Sequence, residues 1–306
     1  MSKPRLLLSV LNDTNDFQIE QVKGARQAAA RSGLDLEIVY AQDDGILQSQ
    51  QLLKHIQSAV EPRPNVIIFE PAGSTALPHV AHAAAAQGIG WIVLSREAEY
   101  IAELRSAFRV PAFVVTPDHE EMGRIQGRQL AALLPRGGIV LTIQGPSHST
   151  AAKLRYAGLL EAKPENIQLR GVRGHWTEAS AEKAVHSWLD LSTSRGTDIA
   201  AVCGQDDSMA MGARKAFEHS AHELRQSWLQ IPFLGCDGLP DTGQEWVRRG
   251  LLTATVFSPP TAPVAIDLIA RFLHEGTMPP PRTLTEARSI PDLETLSSKA
   301  RAGAIG

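Results

Sequence analysis

RLLLSVLNDTNDFQIEQVKGARQAAARSGLDLEIVY, residues 5–40, holds a complete strand, helix and strand in sequence. Arg5 to Leu11 is a short apolar run of strand length. Phe17 to Ser32 carries the spacing of an amphipathic helix, Gly33 ends it, and Leu34 to Tyr40 forms the next strand. Outward from this unit the alternation continues. A helix is predicted near Ile46 to Ala59, a strand at Asn65 to Glu70, a helix from Ser74 to Gln87 and a strand at Trp91 to Ser95. Short apolar runs alternating with longer amphipathic segments predict parallel sheets covered by helices.

The order then repeats. Gly138 to Gln144 reads as a strand, Thr150 to Ala162 as a helix and Ile167 to Val172 as a strand. Strand starts at Arg5 and Gly138, Asn65 and Asp198, and Trp91 and Ile231 are separated by 133, 133 and 140 residues. Ser74-Thr75-Ala76 and Asp207-Ser208-Met209-Ala210 open corresponding helices, each with an N-cap residue type. The expected fold is therefore α/β, with two similar doubly wound parallel-sheet lobes. Further on, a strand at Leu251 to Phe257, a helix at Pro263 to His274, a proline-rich turn at Met278 to Pro281 and a strand near Thr283 to Ser289 return the chain to the first lobe. More than one crossing then joins the lobes.

The 306 residues carry a formal net charge of −3, 43% hydrophobic and 5% aromatic residues, which suits two globular domains of about 150 residues each. Lys and Arg are scattered without a stripe, so no nucleic acid is expected as a partner. Apolar runs such as Val66-Ile67-Ile68-Phe69 are far shorter than a bilayer span, so no direct membrane insertion is expected. Leu6-Leu7-Leu8 is soon interrupted by Asn12 and Asp13, with no cleavage site behind it. The location expected is outside the cytoplasm if a leader lies upstream of Met1, and cytoplasmic if Met1 is the native start. Cys203 and Cys236 lack both disulfide and metal-ligand spacing and read as buried thiols.

Doubly wound sheets bind ligands beyond the carboxyl ends of their strands, so two facing lobes would line one cleft with strand-end loops. Those loops hold Asn12 to Phe17, Glu70 to Ser74, Ser95-Arg96, Gly145 to Thr150, Arg155, His175-Trp176, Gln205 to Asp207, Asp237-Gly238 and Ser258. No dinucleotide fingerprint, P-loop or nucleophile elbow is present, and no cofactor is expected. His79 with His82 and His219 with His222 stand at i and i+3, but with no third ligand nearby they read as solvated helix faces. Asn12-Asp13-Thr14 reads as a turn. Glu70, Asp206 and Asp237 suit a clamp on a ligand better than an acid–base pair. Arg96 and Arg155 offer planar forks for ligand oxygens, or else lobe-to-lobe salt bridges. Trp176, in a loop before a helix, either covers a ligand or packs at the helix start.

The chain resembles the sugar-binding branch of the type I periplasmic binding protein superfamily, with ribose-binding proteins and lactose-repressor-type ligand domains. Gly24-Ala25, Glu70-Pro71, Ala151 to Arg155 with Gly158, Gln205 to Ala213 and Gly235 to Asp241 carry the resemblance. It implies the periplasmic binding protein-like I fold with a three-crossing hinge near Asp118, Ser258-Pro259 and Ser289. The lobes would comprise 1–118 plus about 259–289, and 119–258 plus about 290–306. It implies ligand-binding residues Asn12, Asp13, Asp16, Phe17, Glu70, Ser95, Arg96, Arg155, Trp176, Asp206, Cys236, Asp237 and Ser258.

Relative to the family's commoner pattern, Ser95 replaces Asp, Glu70 and Asp206 replace amides, Cys236 replaces a larger group and Ser258 replaces Gln. These acidic replacements favour a neutral polyol, a larger sugar or an amine-bearing ligand over an anion, tempered by the two arginines. The function implied is a non-catalytic solute-binding protein that closes its cleft on a small sugar or polyol-like ligand. An ABC permease or membrane sensor is its expected partner. A cytosolic ligand-sensing domain without a DNA-binding part and a carbohydrate-acting enzyme are the rival readings.

Overall fold

The computed structural model describes residues 3–59, 62–73, 75–191, 197–221 and 224–303. In chain order the elements are β1 (Arg5–Val10), α1 (Asp16–Ser32), β2 (Asp35–Tyr40), α2 (Gly45–Gln57), β3 (Val66–Phe69), α3 (Pro78–Ala86), β4 (Gly90–Leu94), α4 (Ile101–Phe108) and β5 (Ala112–Pro117). Next come α5 (His119–Leu133), β6 (Gly138–Gln144), α6 (Thr150–Ala162), β7 (Ile167–Arg173), α7 (Glu178–Leu189), β8 (Ile199–Gly204), α8 (Asp207–His219), α9 (Arg225–Trp228), β9 (Phe233–Leu234), α10 (Gly243–Arg248) and β10 (Thr255–Phe257). The chain closes with α11 (Thr261–Glu275), β11 (Arg282–Thr285), β12 (Arg288–Ile290) and α12 (Leu293–Gly303). They form two compact units, Met1–Pro117 with Pro260–Thr285 and Asp118–Pro259 with Glu286–Gly306.

Unit 1 is built on a six-stranded sheet in the order β11-β5-β4-β3-β1-β2, every pair parallel. Its inner strands bury both faces, as expected of a parallel sheet covered by helices, while the edge strands β2 and β11 keep exposed residues. Leu7, Ile67, Phe69, Trp91 and Val93 pack on one side with Leu52, Ile56, Val80 and Leu104 from α2, α3 and α4. Their neighbours Leu6, Leu8, Ile68, Ile92 and Leu94 pack on the other side with Ala25, Ala28, Ala265 and Ile269 from α1 and α11. The two-residue period of a strand thus feeds two separate apolar layers.

Unit 2 repeats this plan with a parallel sheet ordered β7-β6-β8-β9. Leu141, Ile143 and Val202 face α7 and α8, whereas Val140, Ala201 and Cys203 face the side of α5, α6 and α12. Bridges from Leu234 to Ala254 and from Asp237 to Phe257 lay the β10 segment beside the β9 segment.

Three local expectations are revised. The helix expected from Ser74 begins at Pro78, because Leu77 takes a left-handed conformation before it and Pro78 occupies the first turn; Ser74 itself lies outside the described residues. The strand expected over Leu251 to Phe257 is shorter, with Thr255–Phe257 alone regular. The single strand expected near Thr283 to Ser289 is two: β11 pairs in parallel with β5 of unit 1, and β12 pairs antiparallel with β10 of unit 2.

Candidate functional site

Each unit presents a polar face where its strands end, beside the point at which the strand order reverses: between β1 and β3 in unit 1, and between β6 and β8 in unit 2. In unit 1, Asn12 forms the turn after β1. Its side-chain oxygen accepts the backbone N–H groups of Thr14 (3.1 Å) and Asn15 (2.8 Å), while its amide donates to both Asp43 oxygens at 3.0 Å. Asn15 caps α1, accepting from the Phe17 and Gln18 N–H groups. Asp13 is exposed, and Asp16 and Phe17 are half-buried in the first turn of α1.

Behind this turn lies a buried amide network. Gln18 donates to Glu70 at 3.0 Å, and Gln21 donates to Glu70 at 3.5 Å and to Thr261 at 2.9 Å. Gln48 holds the Glu70 carbonyl (2.8 Å) and the Ala72 N–H (2.9 Å), so the loop after β3 is fixed from beneath. Ser95 lies 3.3 Å from the Thr261 hydroxyl. Arg96 donates to the Gly73 carbonyl; burial lowers its pKa, and the negative charge of Glu70 works against that drop. Glu70 and Arg96 therefore form one electrostatically coupled pair.

In unit 2 the centre is Arg155, on α6 and buried. Its guanidinium donates to the Gln205 carbonyl and, at 3.0 Å, to Asp237, and its Nε lies 3.4 Å from His119 Nδ1. Burial opposes its charge, but the carboxylates of Asp237 and Asp206 beside it outweigh that penalty and raise its pKa. The arginine stays a cation. The Trp176 ring lies over it, 5.7 Å from the guanidinium carbon to the ring centroid. Arg155 and Asp237 belong to the same unit, so the lobe-to-lobe salt bridge considered for Arg155 is replaced by an internal one. Asp206 caps α8, accepting the Met209 N–H at 2.5 Å. Ser258 donates its backbone N–H to the Asp237 carbonyl at 3.0 Å and is itself fully buried. Cys236 is also fully buried, packed with Met122, Ile125 and Val256 in the layer beneath the face.

Three candidates share a further feature. Ser95, Trp176 and Asp237 have φ of 59°, 61° and 96°, a region that side-chain-bearing residues adopt at a cost of order 1–3 kcal/mol. Each follows a strand, where the kink turns its side chain out of the regular path.

Sequence reasoning missed the amides beneath these faces, and it named Asp207 only as a strand-end and helix-opening residue. Gln126 donates to the Gly204 carbonyl (2.7 Å) and the Gly235 carbonyl (3.0 Å), holding the chain where β8 ends and just beyond β9; Gln129 donates to the Thr255 carbonyl at 2.9 Å. The available signal was spacing, since Gln18 with Gln21 and Gln126 with Gln129 stand at i and i+3 on helix faces that are otherwise buried. Asp207, beside Asp206, is wholly buried and accepts from Gly238 N–H (2.7 Å) and the Thr255 hydroxyl (2.6 Å). It braces the loop that carries Asp237.

Around His219, the helix face differs from the sequence expectation. His222 lies outside the described residues, and the groups that approach His219 are Glu182 and His186 of α7, which sequence spacing does not bring near it.

A family model described as periplasmic binding protein domain matches residues 7–275. The chain belongs to this family. Its members bind solutes and do not catalyse reactions. The ribose import binding protein of Escherichia coli (strain K12) is 24% identical over 84% of this chain and 79% of its own length. The galactofuranose-binding protein of the same organism is 23% identical over 96% of this chain and 91% of its own. Among solved structures, an ABC transporter periplasmic solute binding protein of Actinobacillus succinogenes with bound D-allose matches with a TM-score of 0.80 at 22% identity, covering 97% of this chain and 100% of that one. A Caulobacter myo-inositol binding protein matches with a TM-score of 0.78 at 19% identity, covering 99% and 98%. These likenesses establish the fold expected from the duplication. No helix among the described residues is long and apolar enough to cross a membrane.

Proposed function

We propose that this solute-binding protein takes a small, neutral sugar or cyclic polyol, held by side chains of both strand-end faces, and serves an ABC permease or a membrane sensor outside the cytoplasm. The observation that carries the reading is the built arrangement on unit 2. A buried arginine, fixed by a carbonyl and by Asp237, lies under an indole ring. Fixed guanidinium and carboxylate groups suit paired hydroxyls, and an aromatic ring suits the apolar face of a sugar. The named ligands of the relatives, ribose and galactofuranose, are of the same chemical class.

Charge balance favours neutrality. Glu70 is coupled to Arg96, and Asp237 is paired with Arg155, so each face sets a guanidinium against its central carboxylate, which weakens the pull on an amine. That narrows the sequence expectation, which left amine-bearing ligands open on the strength of the acidic replacements. The thirteen residues named from the resemblance remain the proposed binding set, with Cys236 and Ser258 acting from beneath as packing.

A thermal-shift panel of pentoses, hexoses, furanoses, inositols, amino sugars and nucleosides tests the class. A ligand at 100 times its dissociation constant adds about 2.7 kcal/mol. Calorimetric titration of the hit then follows in Trp176→Ala and Asp237→Ala. Loss of the stacking ring is expected to cost about 1–3 kcal/mol of binding, and loss of the charged acceptor more. A hit confined to charged ligands, or full affinity in both variants, would refute the proposal.

A further inference from the structure

We propose that Glu182, His186 and His219, on the outer helices of unit 2, form a binding site for a divalent transition-metal ion of the zinc class. It is distinct from the strand-end faces. Glu182 and His186 stand at i and i+4 on α7, on one side of that helix; His219 is the last residue of α8. The two helices pack closely: a Cβ at Gly212 of α8 would lie 2.2 Å from the Glu178 carbonyl oxygen of α7. Their register is held by an ion pair between Lys215 and Glu178. One turn further along both helices, His219 meets Glu182.

The geometry is that of ligands around a shared point. His219 Nδ1 lies 2.9 Å and His186 Nε2 lies 4.0 Å from the same oxygen, Oε1 of Glu182. One donor atom from each of the three residues lies within 4.8 Å of the others. Tetrahedral zinc with bonds of about 2.0–2.1 Å sets its ligands roughly 3.4 Å apart. The observed separations bracket that value, so the three donor atoms already stand close to ligand spacing.

The donor set decides the metal class. Two imidazole nitrogens and one carboxylate oxygen suit zinc, nickel or copper, whereas magnesium and calcium take oxygen cages. The histidine side chains are 41% and 63% exposed, which leaves a fourth position for water. Lys215, one turn before His219 on α8, is engaged by Glu178. Taken only as surface ion pairs, these contacts contribute little. Their convergence across two helices is what a metal would use, clipping the end of α8 to α7.

The test is calorimetric titration of the full chain, with any affinity tag removed, by zinc chloride in a non-coordinating buffer at neutral pH. One equivalent is expected to bind with a dissociation constant on the order of micromolar. His186→Ala and His219→Ala are each expected to weaken it tenfold or more, and His79→Ala, a histidine of unit 1, to bind like the parent. Melting midpoints measured with chelator present, unchanged in the variants, show that the loss is not unfolding. Glu182→Gln gives a second reading, in which cobalt(II) absorption shifts because a carboxylate ligand is gone. Absence of saturable zinc binding, full affinity in both histidine variants, or equal binding of magnesium would each overturn the site.

Discussion

Gly158→Ala offers a test in which two physical effects have opposite signs. Position 158 lies in α6, three residues after Arg155. In an exposed helix interior, alanine is about 1 kcal/mol better than glycine. Here, however, the new Cβ would lie 2.0 Å from the Glu120 carbonyl oxygen and 2.9 Å from the Arg124 nitrogen of α5, and the mirror contact, Gly123 against the Arg155 carbonyl, is equally close at 2.0 Å. Comfortable contact needs about 3.5 Å, so α5 and α6 must separate by more than about 1 Å. Backbone atoms of a helix cannot swing aside as a long side chain can. Overpacking of this kind costs typically about 1–3 kcal/mol, and the upper end applies when the clash is with backbone. Setting about 3 against the gain of about 1 leaves a net loss of roughly 2 kcal/mol. For a unit of this size that lowers the melting midpoint by about 4–8 °C.

Urea unfolding followed by tryptophan fluorescence is a suitable assay, because Trp176, Trp188, Trp228 and Trp246 all belong to unit 2, with Trp91 alone in unit 1. The same displacement moves Arg155 relative to Asp237, so affinity for the ligand is expected to fall tenfold or more. An unchanged or raised unfolding midpoint would show that the α5–α6 approach does not constrain position 158, and the reasoning would fail.

Two other outcomes follow from the buried groups. Burial, seconded by the nearby Asp237, pushes the Asp207 carboxyl well above the ordinary carboxylate range. An acid whose pKa is raised in the folded state lends stability that is complete below its unfolded pKa and is lost as pH rises through the folded one. The stability difference between the parent and Asp207→Asn should therefore shrink from about pH 4 upward, read from urea midpoints at several pH values; a difference that stays constant or grows would contradict the assignment. Burial also pushes the Cys203 thiol up to about 12 and raises that of Cys236, so a disulfide reagent at pH 8 is expected to modify neither thiol in the folded protein and both in urea. Rapid reaction of either thiol without denaturant would show that the layer beneath the unit 2 face is open.

Much of the fold was legible because its signals are local. Strand length, helix period and the cap at Gly33 are written within a few residues, and the repeated spacing of strand starts disclosed the duplication; the cap of α8 is Asp206, one residue before the Asp207 expected. Where the sequence misled, a local signal was overridden. Ser74 resembles a cap, but the left-handed turn at Leu77 and Pro78 sets the start of α3. Residues 283 to 289 resemble one strand, yet β11 and β12 pair in different sheets. Candidate residues such as Glu70 and Asp237 were named because strand ends are predictable positions in a parallel sheet.

Sequence by itself thus determined the architecture and the families of side chain brought to each strand end, since both depend on patterns of short range. Tertiary structure alone decided the partners. Arg155 joins Asp237 across 82 residues, Gln126 reaches the Gly235 carbonyl across 109, and His219 meets Glu182 across 37. Those pairings depend on how closely helices approach and at what register, through contacts such as Gly123 on Arg155 and Gly212 on Glu178. Such distances arise only when the sheet and both helices are packed together, and no periodicity along the chain encodes them.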